Sequence, residues 1–174
     1  MSNGPAARVI GVAVELPEPY GSDLRRWRAR LGDEQAHTVP THVTLLPPTT
    51  VDAELLPEIE AHLEAVAEGQ PPFQIRLRGT GTFRPVSPVV FVTLVDGISG
   101  CERLERAVRS GVLWRPLHFP YHPHVTVAHG LPEPSLDAAF AALGDYDGRF
   151  TVDRFHLYEH DGGAWVLRRD FPFG

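Results

Sequence analysis

An α+β fold built on antiparallel sheets is the class this sequence predicts, as one ordinary globular domain or two small fused lobes. Three observations predict it. Strand-type and helix-type runs alternate without the long series of parallel crossovers that a doubly wound sheet needs. The 174 residues, 43% hydrophobic and 22% charged, are enough to bury a real core. No run approaches the roughly 18 apolar residues of a membrane-spanning helix.

The elements follow in order. Ala7 to Leu16 alternates apolar residues as a strand does and meets a stop at Pro17-Glu18-Pro19. Ser22 or Asp23 is the expected cap of a helix whose apolar positions are Leu24, Trp27 and Leu31, with Arg25, Arg26, Arg28 and Arg30 around the other faces, a cluster that can touch an anion but reads first as a solvated helix face. Thr41 to Leu46 is a short strand closed by Pro47-Pro48, followed by a helix between Asp52 and Glu68 with the stripe Leu55, Ile59, Leu63 and Val66. Phe73 to Leu77 and Val89 to Val95 are strands separated by Gly79, Gly81, Pro85 and Pro88. A helix from about Gly100 to Val112 uses Leu104, Val108 and Val112. A loop of prolines and aromatics then leads to a strand at His124, and a short helix spans Ser135 to Leu143, ended by Gly144. Two closing strands, Phe150 to Glu159 and Ala164 to Phe171, flank the turn Asp161-Gly162-Gly163.

Composition removes several chemistries. All 16 basic residues are arginine, so there is no lysine for a Schiff base, a Walker-A phosphate contact or a lysyl-nucleotide intermediate. The net charge of −6 divides evenly, since residues 1–87 and 88–174 each carry 8 Arg and 11 acids. That balance speaks against tight nonspecific binding to long nucleic acid and leaves room for a small anionic ligand in a local pocket. The single cysteine, Cys101, excludes an intramolecular disulfide and a multi-cysteine metal site, and reads as a small helix or core residue. With no charged-then-apolar leader, a cytoplasmic protein is expected.

The most informative feature is a tetrapeptide that occurs twice, His42-Val43-Thr44-Leu45 and His124-Val125-Thr126-Val127, with the two histidines 82 positions apart. On a strand, alternate side chains share a face, so each histidine lies beside its own threonine while the apolar residues point to the core. Two such strands meeting across a cleft present two imidazoles and two hydroxyls to one phosphate-sized volume. Imidazole titrates near neutrality, so one ring can accept a proton from attacking water while the other donates one to a leaving oxygen. The threonine hydroxyls would hold the non-bridging oxygens, and no metal or other cofactor is required.

These two motifs, the second preceded by Pro123 and followed by Ala128, resemble the 2H phosphoesterase superfamily, specifically its RNA 2′,3′-cyclic phosphodiesterase branch, also called the 2′-5′ RNA ligase family. The likeness extends from the Val9–Leu16 strand to Leu157-Tyr158 and Phe171-Pro172. The resemblance implies two lobes of antiparallel sheet with flanking helices, related by a pseudo-two-fold axis through the cleft, in a single bilobal phosphoesterase domain over residues 1–174. It also implies that His42, Thr44, His124 and Thr126 are the catalytic residues. The implied activity is metal-independent hydrolysis of 2′,3′-cyclic phosphate ends on short RNA or small nucleotides. A basic residue often follows the second motif in this family, whereas here the chain reads Ala128-His129-Gly130, leaving His129 as the available contact.

Further candidates surround this core. Tyr121, Phe119 and Trp165 are aromatic platforms for a base or sugar, or else cover the edge of the core. Arg84 and Arg115 lie in loops where they can meet a terminal phosphate; of all these, Tyr121, Phe119 and Arg115 are the expected substrate-binding residues. The histidine-dense segment His118 to His124 lacks the Cys pair or His-Glu-x-x-His helix of a zinc site, and His122 is expected to position His124. Two other readings use the same residues: an ATP-independent 2′-5′ RNA ligase in which a 5′-hydroxyl replaces water, and a non-catalytic nucleotide-binding module.

Overall fold

The computed structural model describes residues 6–174 and contains two four-stranded antiparallel sheets with four helices. The residues of the N-terminus before Ala6, part of the leader reading, lie outside the described residues. The first sheet has the order β2 (His42–Asp52), β1 (Ala7–Glu15), β7 (Arg154–His160), β8 (Trp165–Pro172). The second has the order β5 (His124–His129), β4 (Val89–Asp96), β3 (Phe73–Thr82), β6 (Asp147–Val152). The α+β class and antiparallel pairing are as the sequence predicts. Each motif strand is the edge of its sheet, and each lies beside the first strand of its half, β1 or β4.

The halves are interlaced. After β1 and β2, β3 crosses to pair with β4 in the second sheet, and after β6 the chain returns through β7 to pair with β1 in the first. Helices cross as well: α1 (Tyr20–Arg30) packs against β5, and α3 (Ile98–Val108) against β2. The remaining two, α2 (Leu56–Glu68) and α4 (Glu133–Ala142), cover β8 and the β3–β5 side respectively. A core runs through both lobes, including Ile10, Val43, Ile59, Leu77, Val125 and Phe155. Cys101 is buried within it, and burial pushes its thiol up to about 12.

Several local expectations are corrected. Helix α1 starts at Tyr20, with Ser22 and Asp23 inside it. Its first turn is satisfied instead by the Glu18 carboxylate, which accepts from the Ser22 N–H and from the Ser22 hydroxyl at 2.6 Å. Arg28 departs from the solvated face and is buried, because it sits four residues after Leu24 and shares its inward side. Strand β2 does not stop at Pro47-Pro48; these two prolines oppose the single residue Gly11 in a bulge, on an edge strand where a missing N–H costs no ladder bond.

The α2 stripe is rotated by one position, with Leu56, Ile59, Leu63 and Ala67 buried and Leu55 and Val66 flanking. Gly79 and Gly81 lie within β3 rather than beyond it. Arg78 and Gly79 oppose Thr93 in a bulge, and Gly79 takes the left-handed φ of +72° that the extra residue needs. Helix α3 ends at Val108, before a separate turn at Gly111–Leu113 that buries Leu113. The expected single strand Phe150 to Glu159 is two strands, divided at Asp153, where the chain changes sheets.

Candidate active site

Strands β2 and β5 lie against each other across the two sheets. Val43, Leu45, Val125 and Val127 are buried on the core side, at 2% exposure or less. The opposite faces turn His42, Thr44, His124 and Thr126 into one cavity of about 320 Å³. The period-two alternation of the motif thus does what the sequence predicts. His129 lines the same cavity.

The two histidines are held alike. His42 Nδ1 lies 2.6 Å from the Pro40 carbonyl oxygen, and His124 Nδ1 lies 2.7 Å from that of His122. A carbonyl only accepts, so Nδ1–H is the donor in both rings and each Nε2 carries a lone pair. His122 therefore contributes its carbonyl to the orientation of His124. Neither the Thr44 nor the Thr126 hydroxyl has a protein hydrogen-bond partner among the described residues.

The surroundings differ. His124 is flanked by Phe83, edge-on at 4.9 Å and 88°, and by Phe91 at 5.3 Å. His42 lies across the β1–β2 ladder from Glu15, whose carboxylate accepts from the Tyr158 hydroxyl at 2.6 Å. Burial lowers the pKa of both imidazoles below 6.5. The backbone carbonyl contacts oppose this, Arg28 lowers His42 further while Glu15 raises it, and the charges of His122 and His42 lower His124. At neutral pH both rings are neutral, rather than one neutral and one charged as their ordinary values suggest.

Other expected residues are placed differently. The Tyr121 hydroxyl donates to the Thr44 carbonyl oxygen at 2.7 Å, and the residue is not part of the cavity wall. Arg115 donates from Nη1 to Thr49 Oγ1 at 2.8 Å, which turns it away from the lining. Phe119 is 73% exposed on the loop before β5 and does not reach the cavity. Arg84 is engaged with Glu133 and Asp137 on α4.

The structure instead brings Arg28, Gln35, Tyr158 and Trp165 to the cavity. The signal for Arg28 was present in the sequence, as a charge on the inward side of an apolar stripe. Trp165, expected as an aromatic platform or as a cover for the core edge, is a cavity wall whose ring lies over Gly11. A Cβ on Gly11 would stand 3.4 Å from Trp165 Cζ3. No group of three or more potential metal ligands occurs among the described residues. No helix among them is long and apolar enough to cross a membrane.

A Geobacillus kaustophilus protein named "Putative phosphoesterase" is 28% identical over 167 residues, covering 94% of this chain and 95% of its own. The crystal structure of Escherichia coli LigT complexed with 3′-AMP matches with a TM-score of 0.64 at 19% identity, over 97% of this chain and 99% of that one. LigT complexed with NADP+ matches with a TM-score of 0.65 at 18% identity, over 97% and 99%. These structures share the fold. The family model described as the 2′-5′ RNA ligase superfamily matches residues 16–164, and the chain belongs to that superfamily.

Proposed function

We propose that the protein is a metal-independent phosphodiesterase that hydrolyses 2′,3′-cyclic phosphate ends of RNA or small nucleotides, with His42 and His124 as acid and base. The carrying observation is the doubled half-site: two imidazoles with free Nε2 atoms and two unpartnered threonine hydroxyls in one cavity. The residues 1–174 act in this reading as a single bilobal domain, since each lobe supplies half of the chemistry.

A cyclic phosphodiester carries one negative charge. Bound between two neutral imidazoles, it favours protonation of one of them, offsetting the burial that keeps both neutral in the free protein. The neutral ring takes a proton from water as its oxygen attacks phosphorus. The bond to one ribose oxygen breaks, and the imidazolium gives its proton to that oxygen, leaving a phosphomonoester. Thr44 and Thr126 hydroxyls donate to the non-bridging oxygens, where charge grows. The apolar wall of Trp165, Val39 and Pro47-Pro48 suits a nucleoside. Binding of 3′-AMP and NADP+ by the similarly folded LigT supports a nucleotide ligand.

The test is phosphorus NMR of a 2′,3′-cyclic mononucleotide incubated with the protein in EDTA, beside a His42→Ala/His124→Ala control. Conversion to a monoester by the wild type alone is the expected result. Equal conversion by the double variant would overturn the reading. Adding an oligonucleotide with a 5′-hydroxyl separates hydrolysis from ligation, since only ligation yields a longer product.

A further inference from the structure

The half-sites repeat, but the cavity does not. Beyond the two motifs, the second sheet's side of the lining consists of Val89 and His129. The first sheet's side continues past His42 over Gly11, Val39, Pro40 and Trp165 to Arg28 and Gln35. The residues three places before the two histidines differ in the same way: Tyr121 reaches across to the Thr44 carbonyl and stays outside the lining, whereas its counterpart Val39 is part of it.

Among the described residues, Arg28 is the one permanently charged side chain of the lining. Arg28 is 6% exposed. Its Nε donates to Asp33 Oδ2 at 2.7 Å and its Nη2 to Gln35 Oε1 at 2.9 Å, while Asp33 Oδ1 accepts from the Gln35 N–H at 3.0 Å. The guanidinium plane is therefore fixed before any ligand arrives. Nη1 makes no hydrogen bond among the described residues. Burying an ion pair is expensive, and a well-packed apolar pair of similar volume is often as stable or more so. Presenting a pre-oriented donor to an anion gives this costly arrangement a use.

We propose that Arg28 is the anion-binding residue of the cavity, its Nη1 donating to a phosphate oxygen of the bound nucleotide. This rests on the reading of the cavity as a nucleotide site. Asp33 and Gln35 are positioning residues that aim the fork. The anion is the phosphate between the histidines or a second phosphate on the same nucleoside; the chemistry recognised is the same.

The experiment is calorimetric titration of the full chain with adenosine, 3′-AMP and adenosine 3′,5′-bisphosphate. Wild type is compared with Arg28→Met/Asp33→Asn, which leaves no charge buried alone, and with Arg28→Lys. The double variant is expected to weaken 3′-AMP on the order of tenfold while adenosine is unchanged, with partial recovery in Arg28→Lys. A loss confined to the bisphosphate identifies the second phosphate as the partner and also supports the proposal. Equal losses for adenosine and 3′-AMP, or no loss for either phosphate ligand, would overturn it. If wild type itself fails to bind 3′-AMP or the bisphosphate, the nucleotide reading fails first and the Arg28 assignment with it. In the unaltered protein, the Nε–H NMR signal of Arg28 should shift with added 3′-AMP while that of Arg84 stays; an unmoved Arg28 signal contradicts the proposal whether or not the variants fold.

Discussion

The Tyr121 hydroxyl donates to the carbonyl oxygen of Thr44 at 2.7 Å, so the loop that leads into the second histidine strand is fastened to the backbone of the first. The bond ties together, across the lobe boundary, the two edge strands whose spacing sets the distance between the imidazoles. Its phenol is half-buried, and burial pushes its pKa up, keeping it a donor throughout the working pH range. Tyr121→Phe is expected to remain folded, lose about 1 kcal/mol of stability, and lose several-fold to tenfold in kcat with little change in KM. Urea unfolding and steady-state kinetics with a cyclic nucleotide check both parts, and an unchanged kcat would show that the tether is only structural.

His42→Ala and His124→Ala are each expected to reduce turnover by roughly 10²- to 10⁴-fold. Both rings sit on the cavity face rather than in the core, so thermal unfolding should move little. Single-turnover rates on a 2′,3′-cyclic nucleotide provide the measurement. Residual activity near wild type in either variant would remove that ring from the chemistry.

The lowered histidine pKa values fix the sign of a pH effect on stability. Above 6.5 the rings are neutral in both folded and unfolded chains and contribute no pH dependence. As pH falls below 6.5 the unfolded chain takes up protons that the folded one refuses, so stability declines until the folded values are passed. His42→Gln/His124→Gln should therefore show a smaller loss of stability between pH 7 and pH 5 than wild type, read from chemical denaturation at each pH. A steeper loss in the variant would contradict the burial account.

Trp165→Ala is expected to raise KM for a cyclic nucleotide several-fold while leaving kcat within about twofold, because the indole lines the cavity but offers no acid or base to the reaction. Gly11→Val should act in the same direction, since its Cβ alone would already stand 3.4 Å from the indole. The check is Michaelis–Menten analysis of both variants. A fall in kcat with KM constant would place Trp165 nearer to the chemistry than the cavity wall.

The motif face was legible because alternation along a strand is local: His42 and Thr44 must share a side whatever the rest of the chain does. Arg28 was legible in principle, as a charge four residues after Leu24, but the same arginines also fit a solvated helix face. The switch of sheets at Asp153 has no such local marker. Phe150 to Glu159 contains neither glycine nor proline, and strand partners are chosen by distant residues. Pro47-Pro48 carried a misleading marker, since two prolines read as a stop until the edge position and the bulge opposite Gly11 are known. Trp165 was legible only as one of two alternatives: its alternating run fits a packed strand as well as an aromatic platform, and the approach of its ring to Gly11, two strands away on β1, marks the open face.

The interlacing of the strands also sets an order of assembly. During synthesis β1 and β2 emerge first, carrying His42, yet the inner edge of β1 waits for β7, where Ile10 meets Glu159. The second sheet can close as soon as β6 appears, but the first cannot until β8, the last strand in the element order, has been made. The earliest-made half of the site is thus the last to be finished. The nascent chain holds an open strand edge until β7 has been made, and the cavity between the histidines gains its Trp165 wall only when β8 has followed.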